Sequence, residues 1–437
     1  MWPVMFRAFF YLWLYRLILH PIFWIVLWFF SFFNKKIATG FLLRQKIANA
    51  YPWLKFAKNT KPIWLHCSSM EFEYAKPVIR EIKRQNPAQK IIVTYFSPSA
   101  QRAVEGFAGV DFACPLPWDF WWVVKEFIDY HKPKMLLYAR TDVWPEVTVQ
   151  CLLHGIPTLL FSATLTQTSS RLRVFSLGFT RWCYSLITKI FSVSQSDQNN
   201  FKRAGIERNC LVLGDTRYDQ VLYRLQNPKV LKNIFPTKNS SLRTVVFGST
   251  WPEDECVIFA AIEQLKNKNL CFVIVPHEAT AAHMQNISQH KIVRYSLFNG
   301  TLKLDDVLVI DQVGILAELY THADLAFVGG SFKKNVHSVM EPLAAGNVTL
   351  VGPYYENNRE AVEFQEINLK GDSSRFPLLA RPVGVIKSSA DLTKYLSQLS
   401  DVTAGELSLI RDEIKGLVQA RAGVTRKLMN KIMQEFS

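Results

Sequence analysis

Acidic residues are absent from the first seventy positions of the chain, and the first to appear is Glu71. Over that stretch Arg7, Arg16, Lys35, Lys36, Arg44, Lys46, Lys55, Lys58 and Lys61 stand unopposed, so much of the formal charge of +15 sits at one end. Glycine and proline are scarce, at 19 and 20 in 437 residues, which excludes collagen-like and low-complexity chains. The seven cysteines (Cys67, Cys114, Cys151, Cys183, Cys210, Cys256 and Cys271) form no C-x-x-C pair. That argues against a zinc site and a disulfide scaffold and fits a reducing compartment. A Walker lysine motif and a G-x-G-x-x-G turn after a strand are also missing, so NTP hydrolysis and dinucleotide redox chemistry fall away.

What is present is apolar: 49% hydrophobic and 13% aromatic residues over a length that suits two or three domains with large cores. Residues 8–33 form one apolar run, interrupted by Arg16, His20 and Pro21, long enough to cross a bilayer core of roughly 30 Å as a helix. It carries no small-residue cleavage site and exceeds a secretory apolar region, so it is expected to stay in the mature chain. Two membrane arrangements are open. Either the run spans once, with Lys35, Lys36, Arg44 and Lys46 holding the rest in the cytoplasm, or it lies in the interface with Arg16 snorkelling. A merely buried core helix is the bland alternative. Basic residues beside an apolar run suit an anionic membrane surface better than a nucleic acid.

Beyond residue 60, short apolar runs alternate with amphipathic stretches, the pattern of a parallel sheet covered by helices. Strands are expected at 63–66, 91–95, 135–138, 158–161, 189–193, 211–213, 244–247, 271–275, 307–310, 325–328 and 349–351, with helices starting near Glu71, Pro98, Phe120, Val143 and Asp197. The expected division is an anchor over 1–34, an N-terminal Rossmann-like domain over 35–226, a polar linker over 227–241 and a C-terminal domain over 242–437 that ends in a charged helix. The fold class is α/β, with two doubly wound lobes in series and ligands at the carboxyl ends of their strands, in the cleft between them.

Four clusters sit at such strand ends. In His66-Cys67-Ser68-Ser69-Met70-Glu71-Phe72-Glu73, Glu71 is placed either as a general base or as an ordinary first-turn helix stabiliser. In Arg140-Thr141-Asp142-Val143-Trp144-Pro145, Arg140 can pair with an anion and Asp142 can orient a sugar hydroxyl or simply cap the next helix. In Gly248-Ser249-Thr250-Trp251-Pro252-Glu253, backbone amides can hold a phosphate and Thr250 with Glu253 makes a capping box. His277, in Val275-Pro276-His277-Glu278, can touch a leaving phosphate or be a satisfied polar residue. Gly329-Gly330-Ser331 lets backbone approach a ligand, and Glu341, after His337-Ser338, can bind ribose hydroxyls or close a capping box with Ser338.

Taken together, these motifs resemble the 3-deoxy-D-manno-octulosonic acid (Kdo) transferases of lipopolysaccharide synthesis, in order from Ile63 to about Pro353. The matching stretches include Trp64-Leu65-His66, Ser97-Pro98-Ser99, Leu116-Pro117-Trp118-Asp119, Gly214-Asp215-Thr216-Arg217-Tyr218-Asp219, Ser249-Thr250 with Glu253 and Glu255, Pro276-His277-Glu278, Phe327-Val328-Gly329-Gly330-Ser331 and His337-x-x-x-Glu341. The family's glycine before the catalytic glutamate is missing here, and Ser338 replaces its usual Asn. The resemblance implies a GT-B architecture and inverting transfer of Kdo from CMP-Kdo to lipid IVA, with Glu71 as base and Arg140 and Asp142 on the acceptor. Ser249, Thr250, His277, Gly329, Gly330, Ser331, His337 and Glu341 would hold the donor. It also implies no metal or other cofactor, no nucleic-acid partner, acceptor phosphates met by the basic residues 35–61, and a place at the bacterial inner membrane facing the cytoplasm. The alternatives are a lipid glycosyltransferase with another nucleotide sugar, and an inactive homologue that binds lipid A precursors.

Overall fold

The structure is a computed structural model that describes residues 2–45, 51–207, 209–235, 241–265, 268–370 and 375–436. The chain divides into two compact units, one of residues 1–220 with 421–437 and one of residues 221–420.

The first unit is built on β1 (Ile63–His66), β2 (Ile91–Tyr95), β3 (Phe112–Pro115), β4 (Met135–Ala139), β5 (Thr158–Ala163), β6 (Lys189–Ser192) and β7 (Cys210–Val212). All pair in parallel, in the order β3-β2-β1-β4-β5-β6-β7. Strands β1, β2, β4 and β5 are buried at every residue, because helices cover both faces of a parallel sheet. Strand β1 lies between β2 and β4. The connections leave β1 and β4 in opposite directions, which makes their carboxyl ends a topological switch point.

The second unit repeats the plan with β8 (Arg243–Thr250), β9 (Leu270–Pro276), β10 (Val293–Arg294), β11 (Val307–Val309), β12 (Leu325–Val328), β13 (Val348–Val351) and β14 (Val383–Val385). Their order is β10-β11-β9-β8-β12-β13-β14, so β8 and β12 flank the second switch point. Every strand expected from the sequence is present, with ends shifted by up to three residues. Strands β3, β10 and β14, each short and at the edge of its sheet, were not anticipated.

The N-terminal apolar run forms α1 (Trp2–Leu14), a π-helical turn (Tyr15–Leu19) and α2 (His20–Ser31). Pro21 has no amide to donate and its ring crowds the preceding turn, and the wider π turn takes up that strain. Within it, Ala8–Ser31 is long and apolar enough to cross a membrane by length and composition, and only 11% of its most apolar window is buried. One face is nevertheless docked on the first unit. Tyr15 donates to Asp119 (2.5 Å), Arg16 donates twice to Glu146 (2.7 and 2.8 Å), and buried His20 packs edge-on against Phe120. The other face exposes Phe9, Phe10, Trp13, Leu17, Phe29 and Phe30.

Next come α3 (Lys35–Leu42), α4 (Phe72–Gln85), α5 (Gln101–Glu105), α6 (Trp121–His131), α7 (Pro145–Leu153) and α8 (Val174–Ser185). Arg44, expected to meet phosphates, is instead buried. Its guanidinium lies 4.7 Å from the Phe96 ring centroid and 4.9 Å from that of Trp118, and it donates to the carbonyls of Leu116, Gly40 and Phe96. Lys46 lies outside the described residues.

Two expected boundaries differ in the structure. The last helix, Val424–Phe436, was assigned to the C-terminal domain, yet its Leu428, Met429 and Ile432 join the core formed by Val78, Ile79 and Ile82 of α4. Asp219 fastens its start by accepting from the Gly423 and Thr425 amides (2.5 and 2.7 Å). The apolar face of an amphipathic helix shows that it is buried, not which unit it is buried against. The expected linker, for its part, is packed: Ile234 belongs to the core of the second unit and its carbonyl accepts from the Leu302 amide at 2.8 Å. Residues 236–240 of that segment lie outside the described residues.

Candidate active site

In the first unit, β1 ends at His66 and the chain turns through residues 67–71 into α4. The turn is fixed by Ser68, whose carbonyl accepts from the Phe96 and Ser97 amides (3.1 and 2.8 Å). His66 is buried between Thr94 (3.0 Å) and Ser68 (3.2 Å), and burial pushes its pKa down to about 4, so it is neutral and occupied. Burial and then the Glu71 carboxylate hold the Cys67 thiol well above its usual range, which leaves it protonated and inert.

Glu71 and Glu73 are distinguished by their partners. Glu71, at the N-cap position of α4 and half-buried, accepts one hydrogen bond from the Ser69 amide at 2.7 Å. Glu73 is ion-paired with Lys76 and accepts from Gln220 at 3.1 Å. Glu71 therefore keeps acceptor capacity at a strand end, and Glu73 is committed to structure.

Across the switch point, Arg140 follows β4 in a left-handed conformation (φ 73°), an uncommon state for a residue with a long side chain. Its guanidinium lies 5.1 Å from the Tyr74 ring centroid, and Arg217 approaches the same ring at 5.8 Å. Asp142 faces Arg171 at 3.7 Å with both side chains partly exposed. It does not cap the following helix. That role falls to Asp119, which accepts from the Glu146 and Val147 amides at 3.0 and 2.9 Å.

In the second unit, Ser249 occupies an irregularity of the β8–β9 pairing with φ 54°. Thr250 is fully buried and donates to Glu255 (2.7 Å), which also meets His283 (2.9 Å). The expected capping box of Thr250 and Glu253 is absent. Asp254 closes that turn instead, accepting from the Trp251 amide at 2.9 Å, and reaches across to the amides of Gly330 (2.7 Å) and Phe332 (3.1 Å). The glycine loop is thus a scaffold in which the Gly329, Gly330 and Phe332 amides are already taken. A Cβ at Gly329 would stand 2.3 Å from the Ser249 carbonyl, so the glycine is demanded by the approach of two strand ends. Ser331 is buried and spans Val328 and Gly352 (3.0 and 2.7 Å).

These strand ends carry an aromatic stack. His277 stacks on both Trp251 (centroids 4.9 Å apart) and His337 (4.3 Å). The Trp251 indole donates to His337 Nε2 at 3.1 Å, which requires that nitrogen to be unprotonated. Burial, then the neighbouring His277, lowers the His337 pKa to about 4. Lys333 stands 3.6 Å from the Trp251 ring centroid, a cation held on the open stack. Glu341 accepts from the Ser338 hydroxyl at 2.5 Å, but Val339 is the N-cap of the helix Met340–Ala344 and makes no side-chain cap, so the expected capping box of Ser338 and Glu341 is not formed. Trp251, Asp254 and Lys333 were not singled out from sequence, since only long-range contacts give them their roles. Among the described residues, no group of three or more His, Cys, Asp or Glu is placed to hold a metal ion.

Two parallel seven-stranded units, each with polar residues gathered at its switch point, define the class: the fold is GT-B, shared by nucleotide-sugar enzymes. Solved structures agree on that architecture. A UDP-N-acetylglucosamine 2-epimerase matches with TM-score 0.58 at 12% identity over 87% of this chain and 98% of its own. MurG of Acinetobacter baumannii matches with TM-score 0.50 at 11% identity over 85% and 99%. Residues 43–220 match the family described as 3-deoxy-D-manno-octulosonic-acid transferase. Among curated relatives named 3-deoxy-D-manno-octulosonic acid transferase, that of Aquifex aeolicus is 28% identical over 82% of this chain and 92% of its own length. That of Haemophilus influenzae is 26% identical over 76% and 82%, and that of Rickettsia felis 25% over 68% and 65%, so the match spans just under two thirds of the last.

Proposed function

We propose that this chain transfers Kdo from CMP-Kdo to lipid IVA with inversion at the anomeric carbon. The observation that carries the reading is Glu71, a half-buried carboxylate with spare acceptor capacity at the end of β1, beside a switch point. In an inverting transfer one group must take the proton of the acceptor hydroxyl as its oxygen attacks the anomeric carbon, while CMP departs from the opposite face. Glu71 is that base. Arg140 and Asp142 orient the acceptor, whose phosphates suit a guanidinium.

The second unit holds the donor. His277 and Lys333, on the Trp251 stack, meet the phosphate that gains charge as CMP leaves, a stabilisation that acts where charge develops. His337 is neutral and supports the stack. Gly329, Gly330 and Ser331 shape the turn that brings Ser249 and Thr250 beside it, and Glu341 takes the ribose hydroxyls. No metal or other cofactor enters this reading, because CMP carries a single phosphate. The apolar N-terminal helix keeps the catalytic units at the cytoplasmic face of the inner membrane, where a glycolipid acceptor resides.

The test is an assay of the full chain in detergent with CMP-Kdo and lipid IVA, reading released CMP and product mass. Turnover with a mass increase of one or more Kdo units supports the reading. Turnover with another nucleotide sugar only, or acceptor binding without CMP release, would move it to a different donor or to a binding-only homologue, respectively.

A further inference from the structure

Beside the docked N-terminal helix lies a cavity of about 640 Å³, within the range of pockets that take small ligands. Leu19 and Phe23 of that helix form part of its wall, Trp144, Phe179 and Cys183 add apolar surface, and Thr141, Ser170, Ser176 and Thr180 bring hydroxyls to the lining. Asp142 and Arg171, the partly exposed pair at 3.7 Å, line it too. A mainly apolar lining with hydroxyls and one ion pair suits an amphiphile whose hydrocarbon part is buried and whose head is hydrated.

The surroundings identify the source of such an amphiphile. The helix that forms one wall is apolar enough for a membrane and turns its other face outward, with Leu17 67% and Phe29 54% exposed. At the start of α8, which contributes Phe179 and Cys183, Val174 and Phe175 are 85% and 102% exposed, directly after Arg171 and Arg173. Adjacent apolar tips behind arginines are how a protein dips into the boundary between headgroups and acyl chains. Two of the elements that wall the cavity thus carry membrane-seeking surface, so a hydrocarbon chain can enter laterally from the bilayer with little passage through water.

We propose that this cavity holds one fatty acyl chain of the membrane glycolipid acceptor, with the sugar head at Asp142 and Arg171. The assignment rests on the transfer reading above and names how that acceptor is gripped. It makes the N-terminal helix part of the binding site as well as an attachment. Anchoring one acyl chain fixes the sugar hydroxyl relative to the strand ends and reduces the entropy lost in reaching the transition state.

The test labels the full chain in detergent with a phospholipid bearing a diazirine at mid-acyl chain, with the modified peptides mapped by mass spectrometry. Labels are expected on residues 19–23, 143–145 and 179–183, falling about tenfold when Cys183→Phe or Leu19→Trp fills the space, the change that a loss of roughly 1.4 kcal/mol in affinity produces. Leu19→Trp acts from the partly exposed helix surface and tests the idea if Cys183→Phe fails to fold. Labels confined to the outward face of the helix, or unchanged in both variants, would overturn the proposal. A parallel assay with lipid IVA and CMP-Kdo separates the two readings. Cavity labelling without CMP release sinks the transfer and keeps the acyl site, and CMP release with labels elsewhere does the reverse.

Discussion

Arg16 and Glu146 lie 130 residues apart in sequence and meet through two parallel hydrogen bonds, Nε to Oε2 at 2.8 Å and Nη2 to Oε1 at 2.7 Å. The Glu146 side chain is wholly buried and Arg16 is its cationic partner. The pair ties an otherwise apolar helix to α7, the helix that begins just after Asp142. A free tether has no need of such a pair, and an arginine in the middle of a hydrocarbon run is costly unless it is matched.

Replacing Arg16 by Met leaves the Glu146 carboxylate buried without its cation, a change that costs about 3 kcal/mol or more for a buried pair. Arg16→Met is therefore expected to lower the unfolding midpoint in detergent. Adding Glu146→Gln to it should recover much of the loss, because the amide is neutral. A double-mutant cycle measured by thermal unfolding checks this. Independent, additive effects would mean that the helix does not stay docked on the first unit.

Glu71 and Glu73 should separate in kinetics. Loss of a general base lowers kcat by about 10²- to 10⁴-fold, so Glu71→Gln should reach that range with little change in KM. Glu73→Gln breaks the pair with Lys76 and the bond from Gln220, a partly exposed set worth about 1 kcal/mol or less, and should leave kcat near wild type. Steady-state CMP release decides between them, and equal losses in both variants would remove Glu71 from its assigned place.

His337 offers a pH test with a defined sign. Its folded pKa is lowered to about 4, below the ordinary imidazole value near 6.5. The unfolded chain therefore takes up a proton that the folded chain refuses between those two values. Its contribution to stability is complete above about pH 6.5 and is lost as the pH falls toward 4. Nuclear magnetic resonance of the imidazole should show no titration down to pH 5, and the Trp251 indole proton should stay hydrogen-bonded over that span. In Trp251→Phe the stack is kept and that bond is lost. A His337 midpoint near 6.5 in the wild-type protein would refute the bond from Trp251.

The sequence made much of this legible, for reasons that differ by element. The strands of both sheets are continuous apolar runs because they are buried on both faces, so β1, β4, β8 and β12 could be read with little error. Their carboxyl ends then pointed to Glu71, Arg140, Ser249 and Gly329. Partners far along the chain were not legible. Asp119 caps α7 from another loop, Asp254 bonds amides 76 and 78 residues away, and the last helix returns to α4. Each uses a residue type that reads equally well as a local cap or a solvated charge, and only the fold decides.

Asp254 provides the strongest test of the glycine loop as a scaffold. It is fully buried and accepts from the amides of Trp251, Gly330 and Phe332. In Asp254→Ala those three donors lose their partner in a buried site, at about 1 to 3 kcal/mol each before relaxation. Asp254→Asn can accept from fewer donors and places an amide group near others, so it should recover only part of the loss. Hydrogen exchange should rise at residues 329–332 and 251–255 and leave β1 and α4 in the first unit at wild-type protection. If the loop amides were instead free to hold the donor phosphate, exchange there would be fast in the wild-type protein and slowed by CMP. With Asp254 in place, their protection should already be high before any nucleotide is added.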